Sequence, residues 1–469
     1  MTRINTNVSS LVAQNTLNRS NTDLQTALTR LSTGLRINSG RDDPAGLIAS
    51  ETLRSDIGAV RSAITNTQRA NQVIGTADSA LGQVSSLLND IRGLVTEAAN
   101  QGGVSPEQIK ANQTQIDSSL DALNRISQTT SFQGRRLLDG NLDFVSSFTG
   151  GTGGNVSDLV INQANLGAAG SVSVNVAVTT AATKATNATT AGVPLTDNLV
   201  LQLSGASGAE VFTFQSGATA ANIADAVNLV QDATGVSATV NGGNVQFDST
   251  AYGSSAFVDA EVISEGSAGT FALTSASRRF GTDVVATVNG TTANGDGNKL
   301  SISTATLDTQ LTLTAGSTAD VAFDITGGGA LFQLGPDVVT NQQARIGIQS
   351  VNTATLGGVN GRLFELRSGE SAALDTDTRK AENIVNEVIT KVTNLRGRLG
   401  AFQKATLDSN VATLNDTLVN LTDAESQIRN ADFAAETANL TRAQILVQSG
   451  TKVLSIANSN PQNVLSLLR

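Results

Sequence analysis

The segment IGTADSALGQVSSLLNDIRGLVTEA, residues 74–98, returns an apolar residue every third or fourth position. Ile74, Ala77, Leu81, Val84, Leu88, Ile91, Val95 and Ala98 therefore fall on one stripe of a helix, which is a heptad seam. Upstream, Asp43 followed by Pro44 is a good helix start, an N-cap acceptor and then a residue with no amide to satisfy. No proline interrupts residues 45–100, so the helix could run ~80 Å at 1.5 Å per residue. QGG at 101–103 stops it, and SPEQ at 105–108 starts a second helix with Ile109, Ile116, Leu120, Leu123 and Ile126 on one face.

The far end of the chain answers in kind. Ile384, Val388, Leu395, Leu399 and Phe402 form one stripe, and after a break near RGRLGAF it resumes with Leu407, Val411, Leu414, Leu418, Leu421 and Ile428. Three long seams with few aromatics fit an antiparallel coiled-coil bundle better than an ordinary helical core, whose helices rarely exceed ~20 residues. Between the helical ends the period switches to alternation, as in VSVNVAV (172–178), VFTFQ (211–215) and LTLTA (311–315). Glycine, Asn and Asp punctuate these strands, and ANIADAVNLV (221–230) reads as a short helix. The fold class expected is α+β: a long antiparallel coiled-coil rod built from both chain ends, with a β-rich inserted outer domain.

Composition removes most chemistry. The chain has no Cys and no His, so disulfides, thiolate nucleophiles, Ser-His-Asp triads and HExxH zinc sites are excluded. Aromatics are 3% of the chain, with no Trp and a single Tyr, Tyr252, so the cores are aliphatic. Residues 141–345 hold 16 acids against five bases, whereas 1–35 and 440–469 are slightly basic, at +2 and +3. An acidic middle speaks against nucleic acid and reads as a solvated outer face. No run of ~18 apolar residues and no secretory leader is visible, so no membrane partner is expected.

Three features imitate sites. Asp42 and Asp43 are adjacent carboxylates, which a helix N-terminus accounts for electrostatically. NGDGN (294–298) alternates oxygen donors but lacks the bidentate Glu of a calcium loop, so a hairpin turn is expected. GGTGG (150–154) has no following Lys and reads as a linker. No catalytic, cofactor or metal residue is expected, and the chain reads as a non-enzyme.

The chain ends are the other informative stretches. Leu17, Leu24, Leu28, Leu31 and Leu35 share a seam, preceded one register away by Ile4, Val8 and Leu11. Near the C-terminus large Leu440, Val447 and Leu454 alternate with small Ala443, Gly450 and Ala457, a pattern that lets helices approach closely. Leu446 and Val453 widen that apolar face, and Val464, Leu465 and Leu468 follow Asn460 and Pro461. A tip this apolar reads as an assembly surface, so Ile4, Val8, Leu11, Leu17, Leu24, Leu28, Leu31, Leu35, Leu440, Val447, Gly450, Leu454, Val464, Leu465 and Leu468 are the candidate subunit-interface residues.

These residues carry a resemblance. LSTGLRINSGRDDPAGLIASETLR (31–54) and NLTRAQILVQSGTKVLSIANSNPQNVLSLLR (439–469) resemble the N- and C-terminal signatures of bacterial flagellins. The likeness spans 1–140 and 330–469, and LSGASGAEVFTFQSGATAANIADAVN (203–228) resembles a repeat of flagellins and hook proteins. It implies five segments. Residues 1–42 and 436–469 are the two halves of an inner helical coiled-coil domain, and 43–165 and 330–435 are the two halves of a long-helix rod. In the C-terminal rod half, FQLGPD (332–337) and ARIGIQSV (344–351) belong to a small β-element. Residues 166–329 are the β-rich variable outer domain, with the repeat near 200–262.

The function implied is a structural subunit that polymerises into the bacterial flagellar filament for swimming. Alternatives are the hook-filament junction protein of the same family, or a surface adhesin using the β insertion. Implied partners are the protein itself, the flagellar export machinery and its export chaperone, and hook-associated and cap proteins. The implied location is secreted, in the extracellular flagellum. The zinc-protease insertion of some family members is excluded by the lack of His. Arg92 and Leu94 match the pattern recognised by an animal innate immune receptor. Asp90 and Gly93 depart from it, so weak receptor activation is expected.

Overall fold

The structure, a computed structural model, describes residues 6–167 and 169–466, with side chains through 459. Its helices are α1 (Val8–Thr33), α2 (Pro44–Ala98), α3 (Pro106–Thr129), α4 (Ala220–Leu229), α5 (Gln231–Thr234), α6 (Thr378–Ala401), α7 (Ser409–Arg429) and α8 (Phe433–Ser466). The described chain forms two compact units, one drawn from 1–69, 333–338 and 406–469, the other from 70–332 and 339–405.

Helix boundaries follow local chemistry. The Asn7 side chain accepts the Ser10 N–H to open α1, and Gly34, at φ 72°, closes it by donating its N–H to the Arg30 carbonyl. Asp43 Oδ1 accepts the Gly46 N–H at the start of α2, as the Asp-Pro signal predicts. At α3, Ser105 and Gln108 form a reciprocal capping box. The break near RGRLGAF is a π-helical segment, Phe402–Asp408. Its cause is visible in the stripe, which jumps eight positions from Leu399 to Leu407. A wider turn absorbs the extra residue and returns Leu407 to the buried face.

In the first unit α1 pairs with α8, while Val60 and Ala63 of α2 bury against Leu414 of α7 with Ile64, Leu418 and Leu421 around them. In the second unit the seam of residues 74–98 is wholly buried, each of its eight residues at 1% exposure or less. α3 buries Ile116, Leu120 and Leu123, and α6 buries Ile384, Val385, Val388, Val392 and Leu399. Strands Ala330–Gln333 and Gln343–Ile346 pair as a two-stranded sheet.

The β-rich part of the second unit is two sandwiches, one nested within the other. The outer one stacks a five-stranded sheet (Thr291–Thr292, Val285–Val288, Val172–Thr180, Val321–Gly328, Phe144–Phe148) on a four-stranded one (Asn294–Asp296, Lys299–Ser303, Leu307–Leu313, Val156–Ala164). Val174, Val176, Val321, Phe323 and Leu311 lie in its core. Between Thr180 and Val285 the chain leaves to build the second sandwich. Its sheets are Ala272–Leu273, Lys184–Ala191, Asn244–Tyr252, Val236–Asn241 and Arg279–Phe280, Phe257–Glu265, Leu199–Gly205, Ala209–Phe214. α4 packs into a separate core with Leu201, Leu203, Val245 and Phe247. Departure and return lie side by side, since Thr183 and Thr282 are antiparallel bridge partners. NGDGN is the hairpin turn expected, joining Asn294–Asp296 to Lys299–Ser303, and GGTGG is part of the connection between two strands.

Candidate assembly surface

The signature segment 31–54 is a clasp. After Gly34 ends α1, the Ala431 N–H donates to the Gly34 carbonyl and the Arg36 N–H to the Arg429 carbonyl, so a short bridge ties residues 34–36 to 429–431. Arg36 reinforces it by donating Nε and Nη2 to the Ile428 carbonyl. Asp42 then folds the loop back: its Oδ2 accepts the Asn38 and Ser39 N–H groups and the Ser39 hydroxyl. The backbone bonds, Ser39 first, hold the Asp42 carboxyl below the usual carboxylate range. The adjacent carboxylates at 42–43 are thus turn and cap acceptors.

The clasp fixes α1 and α8 side by side and antiparallel. Asn7 Nδ2 donates to the Ala457 carbonyl, Ser10 Oγ to Asn458 Oδ1, and at the opposite end Arg30 Nη1 to Glu436 Oε1 at 3.1 Å. Along α1 the seam alternates small Ala13, Ser20 and Ala27, all buried, with half-buried Leu17, Leu24 and Leu31. Along α8, buried Ala443 and Ala457 and half-buried Gly450 alternate with half-buried Leu440, Val447 and Leu454. Gly450 shows why the small residues matter: a Cβ there would lie 3.2 Å from Leu17 Cδ1. Glu436, 8% exposed, carries the charge of this otherwise apolar seam, and Arg30 meets it.

Pairing leaves large apolar side chains uncovered on both helices. Val8 (62% exposed), Leu11 (57%), Val12 (59%) and Leu28 (48%) lie open on α1. Phe433 (59%), Ile445 (58%), Leu446 (46%), Val453 (54%) and Ile456 (61%) lie open on α8. Val8, Val12 and Ala13 with Leu446, Gly450 and Val453 line a groove of about 520 Å³.

The fifteen candidate interface residues therefore separate into groups. Leu17, Leu24, Leu31, Leu440, Val447, Gly450 and Leu454 lie half-buried on the two helices of the pair, whereas Val8, Leu11 and Leu28 face outward. Leu35 sits half-buried in the clasp, bridged to Asn430. Val464 and Leu465 fall in the last turns of α8 beyond the described side chains, and Ile4 and Leu468 lie outside the described residues. Val12, Phe433, Ile445 and Ile456 were not singled out from sequence. The signal for Val12 was its spacing four residues from Val8. In α2, Arg92 is exposed and Leu94 half-buried, with Asp90 and Gly93 exposed beside them.

Elsewhere, a polar cleft of about 1080 Å³ lies between the Val156–Ala164 sheet and α6. It is spanned by Lys391 Nζ and Asp158 Oδ2 at 2.6 Å. Among the described residues no group of three or more His, Cys, Asp or Glu could hold a metal. No described helix is long and apolar enough to cross a membrane.

Comparison with known proteins fits this arrangement. Residues 4–143 match the bacterial flagellin N-terminal helical region and 383–468 the bacterial flagellin C-terminal helical region. The chain is 30% identical to a flagellin of Salmonella typhimurium and 32% identical to the B-type flagellin of Pseudomonas aeruginosa, each alignment covering 99% of both chains. Among solved structures, the flagellar junction protein FlgL from Legionella pneumophila aligns with 82% of this chain and 100% of that one. At a TM-score of 0.29 and 15% identity, that likeness carries no argument.

Proposed function

The chain belongs to the bacterial flagellin family, and on that premise we propose that the uncovered apolar face of the α1–α8 pair is where copies of the subunit join. The protein is a structural subunit of the flagellar filament. The observation that supports this particular surface is the groove lined by Val8, Val12, Leu446 and Val453, four large side chains left open together on two helices already paired through another face. Single exposed aliphatics are ordinary, but a contiguous set marks an interaction surface. In a heterologous contact this face meets a different patch of the next copy, and such a contact repeats without closing and builds an open helical polymer.

In this reading the half-buried seam residues, Leu17, Leu24, Leu31, Leu440, Val447, Gly450 and Leu454, hold the pair together, while Val8, Leu11 and Leu28 meet neighbouring copies. Ile4, Val464, Leu465 and Leu468 are assigned to the same contact on their sequence alone. The acidic β sandwiches face solvent. The subunit is secreted through the flagellar export machinery with an export chaperone and joins an extracellular filament bounded by hook-associated and cap proteins. Arg92 and Leu94, exposed or half-exposed on α2, form part of a weakly activating immune-receptor contact.

Limited proteolysis with mass spectrometry, run on monomer and polymer side by side, tests the surface. Segments 8–33 and 433–459 should be cut faster in the monomer than in the polymer, with the sandwich hairpins accessible in both. Equal protection of α1 and α8 in both states would overturn the reading.

A further inference from the structure

The sequence contains four Asn-Gly dipeptides, Asn241-Gly242, Asn289-Gly290, Asn294-Gly295 and Asn360-Gly361, and the structure treats them unequally. Such a pair is chemically labile because glycine offers its backbone nitrogen to the asparagine side chain without steric hindrance. Whether reaction follows depends on the freedom of that side chain and that nitrogen.

Three of the four are held. Asn289 Oδ1 accepts the Asn175 N–H at 2.8 Å and its Nδ2 donates to the Ser173 carbonyl at 3.1 Å. Asn360 donates Nδ2 to Glu387 Oε2, and its backbone N–H goes to the same carboxylate. Asn294 and Gly295 are locked in a strand ladder opposite Ser301 and Leu300. A Cβ at Gly295 would lie 2.0 Å from the Val284 carbonyl oxygen, so the Gly295 backbone is packed closely against the neighbouring segment.

Asn241 differs. It ends one strand of a two-residue hairpin, paired with Asn244 across Gly242 and Gly243, both at positive φ (59° and 87°). Asn241, Gly242 and Gly243 are all exposed. The Asn241 side chain and the Gly242 N–H have no hydrogen bond to another described residue.

We propose that Asn241 is a site of spontaneous modification, converting to aspartate and β-linked isoaspartate as the protein ages. The Gly242 nitrogen attacks Asn241 Cγ, forming an N–C bond. The Cγ–Nδ2 bond breaks, and Nδ2 leaves as ammonia, taking up the proton the Gly242 nitrogen gives up. Water then opens the succinimide, its hydroxyl adding to one carbonyl carbon and its proton to the nitrogen. Water is the sole co-reactant. Opening at Cγ gives aspartate, and opening at the backbone carbonyl gives isoaspartate, which lengthens the main chain inside a two-residue turn. Either product adds a negative charge to an already acidic module. The proposal is independent of the assembly surface.

The test incubates the purified full-length protein, native and urea-unfolded, in mildly alkaline buffer made with ¹⁸O water. Peptide mapping follows, with fragmentation that separates aspartate from isoaspartate. The label distinguishes conversion during incubation from conversion during digestion. In the native protein Asn241 should convert about thirtyfold faster than Asn289, the rate equivalent of the two hydrogen bonds Asn289 must first break. In urea the four sites should converge. Comparable native rates at Asn241 and Asn289 would overturn the proposal. So would an unreactive native Asn241 in a chain that reacts there once unfolded.

Discussion

Val453→Asp should abolish assembly while leaving the subunit folded. Val453 is 54% exposed on α8, one position from the seam residue Leu454, and it lines the groove with Val8, Val12 and Leu446. Full burial of a valine side chain is worth about 1.5–3 kcal/mol, so covering its exposed half contributes about 1 kcal/mol to each contact. An aspartate forfeits that and places an unpaired carboxylate in the interface, adding about 3 kcal/mol. Together these amount to about 4 kcal/mol, roughly a thousandfold rise in the critical concentration for polymerisation. Val453→Ala loses the first contribution alone and should raise it roughly fivefold. Seeded polymerisation followed by sedimentation measures both, with circular dichroism of the monomer as the control for helix content. If Val453→Asp polymerises at the wild-type critical concentration with its helices intact, the uncovered face is not where subunits meet.

Gly450→Leu should separate α1 from α8, because a Cβ alone would already lie 3.2 Å from Leu17 Cδ1; a loss of about 1–3 kcal/mol should appear as earlier thermal melting of helix. Replacing residues 185–280 by a short glycine-rich turn should leave the outer sandwich folded, because its buried core comes from outside that span and the partly buried Tyr252 is lost only from its margin; retained strand signal and continued polymerisation would show it. The Lys380 ammonium, with the Arg362 N–H, holds Glu365 down from 4.5 to about 2. Its contribution to stability is therefore full above pH 4.5 and disappears as pH falls toward 2. Glu365→Gln should flatten the decline in urea-unfolding midpoint across that window, and an unchanged slope would count against the pair.

What the sequence made legible was whatever repeats locally. The seam of residues 74–98 could be read residue by residue because a 3–4 spacing has one helical meaning, and all eight positions are buried. The stop at QGG, the capping box at Ser105 and the turn at NGDGN were legible for the same reason: each is set within four residues. The α8 pattern was half legible. Large-small alternation identified Ala443, Gly450 and Ala457, but Leu446 and Val447 are equally apolar, and only the position of α1 decides which is half-buried and which open. Arg30 and Glu436, 406 positions apart, gave no signal of their meeting. Nor did the double sandwich, whose strands alternate in the same way while neighbours such as Val172–Thr180 and Val321–Gly328 come from distant parts of the chain.

The bridge between Thr183 and Thr282 bears on the order in which the chain can fold. Strands on either side of it must find each other across a gap of 99 residues. Closing a flexible loop costs about 0.6 kcal/mol for each doubling of its length. If the inner sandwich collapses first, its two ends emerge side by side and the effective gap shrinks by four or five doublings. The search for the outer strands is then eased by about 2–3 kcal/mol, a gain of roughly fiftyfold or more in rate. Maturation would run from the inner sandwich outward. A slow or damaged inner module would delay the outer one even though the two cores share no residues.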